Sequence, residues 1–461
     1  MKSPLPAFLI ACVFCFQANA QTTYLWNPQG GSTSAKVVSN WKIATCNGST
    51  ATYFPGSTDT LVFSNCSAGN ATIDTNITVR FVNVKSSYSG TVTLSGSNTF
   101  TTEKMRVTGG TFSGGSGTIN VSSSLSIDGG IFSSTSGTFT LAGNFTKSSG
   151  TFNHNNGTVV FKKASSGQPT IAGSSITAAV DFYDVIFDAP DATTLFNINS
   201  IYFTVNHSLT ISGDEQLFIN GDTILMAGSS NLTLSNTSGT GGGTADIKFN
   251  SSSTQTITGS TGSDYTKLPN IIIAKSGTLN LSGNIGMGGT TYLDYRTGTI
   301  SEGSSSFLFY HDNTIKGKME FYDVEFQGHS SDYYLTDTIV IGHDLLMTGT
   351  AVNTVNNGAI KLNQDLTYTN SHSSSIFNSS ILFSNLSQDQ SIAGSFTARV
   401  YDIEIKGGKT LILQNPMIIS HALKLTSGFI KSTSTNLLTL SAACTVSGGS
   451  SSSFIKGLLR R

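Results

Sequence analysis

Charge is scarce in this chain. Only 11% of its 461 residues are charged, with 25 Lys+Arg against 26 Asp+Glu. That balance excludes the electrostatic footprint of a protein that binds nucleic acid or an acidic membrane surface. Past the first twenty residues no run reaches the roughly eighteen apolar residues that would span a bilayer. Helix formers are diluted by Ser, Thr, Asn and 48 Gly, so long helices are excluded as well. What remains is 38% hydrophobic residues, among them 28 Phe. Together with the β-branched content this is too much for a disordered chain and fits an all-β, turn-rich one.

The segment MKSPLPAFLIACVFCFQANA (residues 1–20) reads as an export signal. Lys2 supplies the positive start, Pro6 to Phe16 the apolar core and Ala18-Asn19-Ala20 the small-residue site, so cleavage is expected at Ala20/Gln21. Leu9-Ile10-Ala11-Cys12 also fits a bacterial lipoprotein box, although cleavage there would leave a very short apolar core. Beyond the signal stand Cys46, Cys66 and Cys444. In an exported chain Cys46 and Cys66 are expected either to bridge, closing a loop in the first folded segment, or to be buried as thiols. Cys444 has neither His nor Cys near it in sequence.

The middle of the chain repeats. Gly90, Gly110, Gly130 and Gly150 fall on a twenty-residue beat, as do Val92, Phe112, Phe132 and Phe152. Ile119, Phe139 and Val159 form a second apolar row, and Met105, Leu125 and Phe145 a third. A period of 20 to 50 residues means a solenoid, propeller or array. Alternation such as Leu125-Ser-Ile127 is a strand pattern. A propeller blade needs about forty residues, twice what is available. Three short strands and three turns per twenty residues predict an elongated right-handed parallel β-helix, a β-solenoid on the order of 90 Å long at about 4.8 Å per coil.

Four segments follow from this. Residues 1–20 are the signal, and 21–88 are an N-terminal cap and the first coils, where Trp26, Asn40-Trp41 and Pro55 interrupt the beat. Residues 89–160 are regular coils, and 161–461 are longer, irregular repeats. The later repeats carry the signature FYDVIF (182–187), LPNIII (268–273), FYDVEF (321–326) and VYDIEI (400–405), followed by HSLTIS (207–212), HDLLMT (343–348) and HALKLT (421–426). Strands run straight to Arg461, so an open coil edge able to pair with another chain is expected there, together with truncation of a longer protein.

The opening WNPQGGSTSAKVVSNW, the GTF coils, the FYDV strands and the terminal SGGSSSSFIKGLLRR resemble the large repeat-built surface proteins that Gram-negative bacteria export by type IX secretion. The resemblance covers nearly the whole mature chain and implies a secreted or cell-surface, adhesin-like β-helix. The immunoglobulin-like sorting domain usual in that group is missing here.

Chemistry is harder to find. Pectin-hydrolysing β-helices resemble one another in Asn-Thr-Asp, Asp-Asp, Gly-His-Gly and Arg-Ile-Lys segments, because paired carboxylates must activate water and protonate the leaving oxygen. None of the four occurs here; Gly328-His329-Ser330 and Gly342-His343-Asp344 come nearest. Asp184, Asp323 and Asp402, with Asn270 in the same place, would as a ladder bind cations or sugar hydroxyls, and His207, His343 and His421 would ligate a metal if stacked with carboxylates, but both sets read as turn formers. GTGGGTAD (239–246) lacks the Lys and helix of a phosphate loop. The Asn-Xaa-Thr sites at Asn70, Asn144 and Asn231 read as products of an Asn- and Thr-rich composition. Tyr183, Tyr322, Tyr333, Tyr334 and Tyr401 are candidate outward rings for stacking on sugars. Thr91, Thr111 and Thr151 line up as a flat ice- or mineral-binding row would, but Ile131 interrupts them. No residue takes a catalytic, cofactor-binding or metal-ligating role in this reading.

The expected function is therefore that of an exported, non-catalytic structural or adhesive protein that meets carbohydrate or other cells. The rival is a carbohydrate-active lyase or hydrolase on the same scaffold. The two separate on one criterion: a cleft in which three or more acidic and basic groups converge, or a compact cluster of them on adjacent coils, would favour the enzyme.

Overall fold

The computed structural model describes residues 21–163, 167–174, 179–261, 265–328 and 330–461; the signal segment lies outside them. The chain winds into a parallel β-solenoid of about 18 turns, which at about 4.8 Å per turn makes a rod of about 85 Å. Nearly every rung is parallel. Long strands bend across a corner, so that two sides of the coil merge into one 35-stranded sheet, and ten short strands form a second sheet.

The three apolar rows stack in register. Val92, Phe112 and Phe132 are consecutive rungs and Phe152 follows. Ile119 meets Phe139, which meets Val159, and Met105 meets Leu125, which meets Phe145. All point inward and are buried. The rings of Phe112 and Phe132 stack at 5.4 Å and those of Phe132 and Phe152 at 5.9 Å, a core in which one period of sequence becomes one column of contacts. The outer row runs Thr91, Thr111, Ile131, Thr151.

Glycine is needed at the turn for two reasons. Gly110, Gly130 and Gly150 have φ of +52°, +59° and +68°, and a Cβ on Gly130 would stand 2.5 Å from the Gly109 carbonyl oxygen on the preceding coil. The turn is left-handed and the backbones nearly touch.

Asn and Asp form a further set of rungs. The side-chain oxygens of Asn70, Asn144 and Asn231 accept the backbone N–H of Thr91 (2.8 Å), Thr170 (2.9 Å) and Thr256 (2.8 Å) on the next coil. Asp344 does the same for Asp365 at 3.1 Å, and Asp365 for Ser391 at 2.6 Å. Each satisfies a donor left unpaired where the strand begins. This gives a structural reason for the Asn of the three Asn-Xaa-Thr sites.

At the N-terminal end Thr23–Trp26 pairs antiparallel with Trp41–Ile43 and parallel with Thr60–Phe63. Trp26 and Trp41 are fully buried, 5.0 Å apart, and Trp41 lies 5.8 Å from Phe63 at the start of the core. Asn40 bonds across the same turn to the Ser34 carbonyl at 2.9 Å. Cys46 and Cys66 are joined in a disulfide, and Cys444 is a buried free thiol. The bridge closes a loop with a sequence separation of 20, so Cys46→Ser is expected to remove about 3 kcal/mol of chain-entropy stabilisation. Faster amide exchange across residues 41–66, with the central coils unchanged, is the corresponding readout.

Candidate functional site

The repeated Asp and His residues, read separately from sequence as turn formers, meet in the structure. His207 Nδ1 donates to Asp184 at 2.7 Å, His343 Nδ1 to Asp323 at 2.8 Å and His421 Nδ1 to Asp402 at 2.8 Å. Each imidazole also lies flat on the tyrosine that precedes its aspartate. The ring separations are 4.6 Å for Tyr183–His207, 4.7 Å for Tyr322–His343 and 4.5 Å for Tyr401–His421.

Register explains the grouping. Phe182 faces Val205 and Val185 faces Leu209, so two residues on one coil oppose three on the next. The same two-against-three count separates Phe321 and Val324 from Ile341 and Leu345, and Val400 and Ile403 from Ile419 and Leu423. The surplus residue is a bulge, and the His stands within it. Where Pro269-Asn270 replaces Tyr-Asp, Leu268 faces Met287 and Ile271 faces Leu293. The next coil then takes five residues, Gly288 to Tyr292, and none is His. Among these four copies Tyr, Asp and His are present together or absent together, and the copy without them carries a longer insertion.

These groups do not stack on one another. Asp184 and Asp402 sit at bends within long strands of the larger sheet, whereas Asp323 opens a strand of the ten-stranded sheet. Among the described residues one metal-competent group stands out, Asp323, His343 and Asp344, with ligand atoms within 4.8 Å of one another. It meets the count of three converging acidic and basic groups on adjacent coils, at a corner rather than in a cleft. Its atoms are also engaged: Asp323 Oδ1 accepts both His343 Nδ1 and the Asp344 N–H at 2.8 Å, and Asp344 Oδ1 accepts the Asp365 N–H. Burial works to lower the His343 pKa, but the bond to Asp323 and the charges of Asp344, Asp323 and Asp365 outweigh it and raise the value above 6.5. A raised folded-state pKa makes the contribution full below the unfolded value of about 6.5 and lost as pH climbs through the folded one. His343→Gln is therefore expected to destabilise the chain at about pH 5 and to matter little at about pH 8, as pH-dependent melting would show.

A second feature was missed in the sequence. On a lateral face lies a recess of about 650 Å³ lined by Gln216, Phe218, Thr240, Gly241, Gly243, Thr244, Gly289, Thr290, Tyr310, His311 and Asp312. A smaller one of about 290 Å³ shares Tyr310 and adds Tyr265, Lys267 and Glu325. The glycine run at 239–246 is the floor. Gly241, Gly242 and Gly243 have φ of +158°, +121° and +118°. A Cβ on Gly242 would stand 2.9 Å from Gly288 Cα, and one on Gly243 would strike the Ile219 carbonyl. Gly242 follows Phe218 in register and is buried against the Gly288 backbone, while Gly241 and Gly243 line the recess beside the Phe218 ring.

The rim is strained. Thr290 and Asp312 both have left-handed backbones, with φ of +56° and +35°. That conformation is costly for a β-branched residue such as Thr290. Beneath them Asn313 bonds Thr291 Oγ1 at 2.9 Å and the Gly288 carbonyl at 2.7 Å, pinning the corner. His311 Nδ1 lies 3.1 Å from Ser331 Oγ. The buried Lys267 ammonium sits 4.7 Å from the Tyr310 ring centre. Each recess carries one lining carboxylate, and both hold scaffold bonds: Asp312 accepts the Asp332 N–H at 2.9 Å, and Glu325 accepts the Thr348 hydroxyl at 2.6 Å.

Of the five tyrosines expected to face outward, Tyr333 does not: it is fully buried, its ring 4.8 Å from Phe326. Side chains alternate in and out along Ser331–Leu335, and Tyr333 falls on the inward parity while Tyr334 is exposed. His329, in one of the two His segments compared with hydrolase motifs, lies outside the described residues. No helix among the described residues is long and apolar enough to cross a membrane. Comparison with protein-family models, with curated proteins and with solved structures returns no match.

Proposed function

We propose that this is an exported, non-catalytic surface protein whose lateral recess contacts carbohydrate. The observation that carries the reading is the recess itself, lined by the aromatic residues Phe218 and Tyr310 together with Thr240, Thr244 and Thr290. Sugars are bound in this way, their apolar ring faces on aromatic side chains and their hydroxyls against short polar groups. The Cys46–Cys66 disulfide supports folding in an oxidising compartment and so supports export. Glycoside hydrolysis needs two facing carboxylates, one of them protonated or poised as a base. The lining carboxylates Asp312 and Glu325 are divided between the two recesses and tied to the scaffold, which favours binding over turnover.

The test is an immobilised glycan array probed with residues 21–461, followed by chromatography of each bound polysaccharide after prolonged incubation. Retention on a subset of glycans with their chain length unchanged is expected. Shortened or unsaturated products would overturn the non-catalytic reading, and failure to retain any glycan would overturn the carbohydrate reading.

A further inference from the structure

We infer that the larger recess takes an uncharged, linear glycan laid along the rod axis, with Phe218 and Tyr310 as its two end platforms. This rests on the carbohydrate reading above and specifies the ligand's charge, shape and direction.

Direction follows from register. Phe218 opposes Gly242, Gly242 packs against Leu268 and Gly288, Leu268 opposes Met287 and Met287 opposes Phe309. Tyr310 is the next residue. The two aromatic residues are thus separated by three or four strand spacings of about 4.8 Å each. The strands cross this line, so a ligand touching both rings must run parallel to the rod. A single sugar ring does not reach from one to the other; a short chain of them does.

The floor fits an extended ligand. Gly241 and Gly243 line the recess with backbone that carries no side chain, and both have positive φ. Thr290 and Asp312 occupy equivalent turns on adjacent coils, Thr290 N–H donating to the His311 carbonyl at 3.1 Å. Their shared left-handed backbone turns two polar side chains toward the same edge of the recess. Strain repeated on two coils beside a glycine floor is the pattern of a held site rather than of an idle turn.

Charge sets the ligand class. Asp312 is the only carboxylate lining the larger recess, and neither Lys nor Arg lines it. Lys267 is buried and borders the smaller recess. A uronate or sulfated chain would therefore bring like charge to Asp312 with no Lys or Arg, only the His311 imidazole, to receive it. Neutral hydroxyls find acceptors and donors in Asp312, Gln216 and the threonines.

The experiment is calorimetric titration of residues 21–461 with three linear series, from disaccharide to hexasaccharide: β-1,4-glucose and β-1,4-mannose oligomers as neutral probes and oligogalacturonates as the acidic one. Affinity for a neutral series is expected to rise with length and then level off once both platforms are covered. Phe218→Ala and Tyr310→Ala should each weaken the longest oligomer about three- to tenfold and leave the shortest less affected. Phe218→Tyr, which keeps a ring in place, should restore the loss and shows that the variants report on stacking rather than folding. Affinity independent of length, or preference for oligogalacturonate, would overturn this inference and leave the carbohydrate reading standing. Binding to none of the three series, by a chain that also fails on the array, would remove both.

Discussion

Replacing Phe132 by alanine should destabilise the central coils by about 3–5 kcal/mol, the usual cost of removing a buried aromatic ring. Phe132 is fully buried and lies within 6 Å of three other rings, Phe112 at 5.4 Å, Phe139 at 5.6 Å and Phe152 at 5.9 Å. Neighbouring rungs fix the backbone on both sides, so the space cannot close by collapse. A solenoid is also nearly one-dimensional: each coil is held only by the coils above and below. The loss should therefore appear as a local weak point rather than as a uniform softening. Amide exchange is the appropriate measurement, and residues 109–152 should exchange faster while Thr60–Phe63 and Ile376–Phe383 keep their protection. An even rise along the rod would mean that the array unfolds as a single cooperative block.

Gly130→Ala should be almost as damaging, although it adds only one carbon. The left-handed backbone costs an L-residue about 1–2 kcal/mol. The added Cβ meets the carbonyl oxygens of Gly109 at 2.5 Å and Gly110 at 2.8 Å, and forced overpacking of this kind adds about 1–3 kcal/mol. Both obstacles are backbone atoms of the preceding coil and cannot rotate away. At Gly96, where φ is +60° but nothing stands within 4 Å, the same substitution should cost only the conformational part. Thermal melts of the two variants side by side separate the two contributions.

The contrast between these coils and the functional face shows what a sequence of this kind reveals. The twenty-residue beat was legible because its columns are formed by identical spacing: Gly110, Gly130 and Gly150 stack because each coil has the same length. The corner groups were half legible. Asp184 and His207 each stood out by recurrence, but their contact depends on a one-residue bulge, and the offset from Asp to His is 23, 20 and 19 residues in the three copies. Variable coil length hides a constant geometry. Comparing the copies directly would have found it, since the copy with Pro269-Asn270 loses the His as well.

The recess was not legible at all. Phe218, Thr290 and Tyr310 belong to coils of different length, so no fixed spacing links them. The glycine run at 241–243 has the glycine content of a phosphate loop without its Lys or helix. Its actual work, close approach to the backbones of Gly288 and Ile219, depends on which coil lies opposite, and that is a property of the register. Tyr333 illustrates the same limit on a smaller scale, since one step of strand parity decides whether a tyrosine is core or surface.

Where a bound glycan touches the rod decides between the recess and the Tyr–His corners. Hydrogen–deuterium exchange of residues 21–461, with and without the tightest-binding neutral oligosaccharide, maps that contact coil by coil. The predicted result is added protection at residues 216–218, 240–244, 289–290 and 310–312. Protection centred instead on the Tyr–His corners at 183 and 207, 322 and 343, or 401 and 421, or on none of these segments, would contradict it.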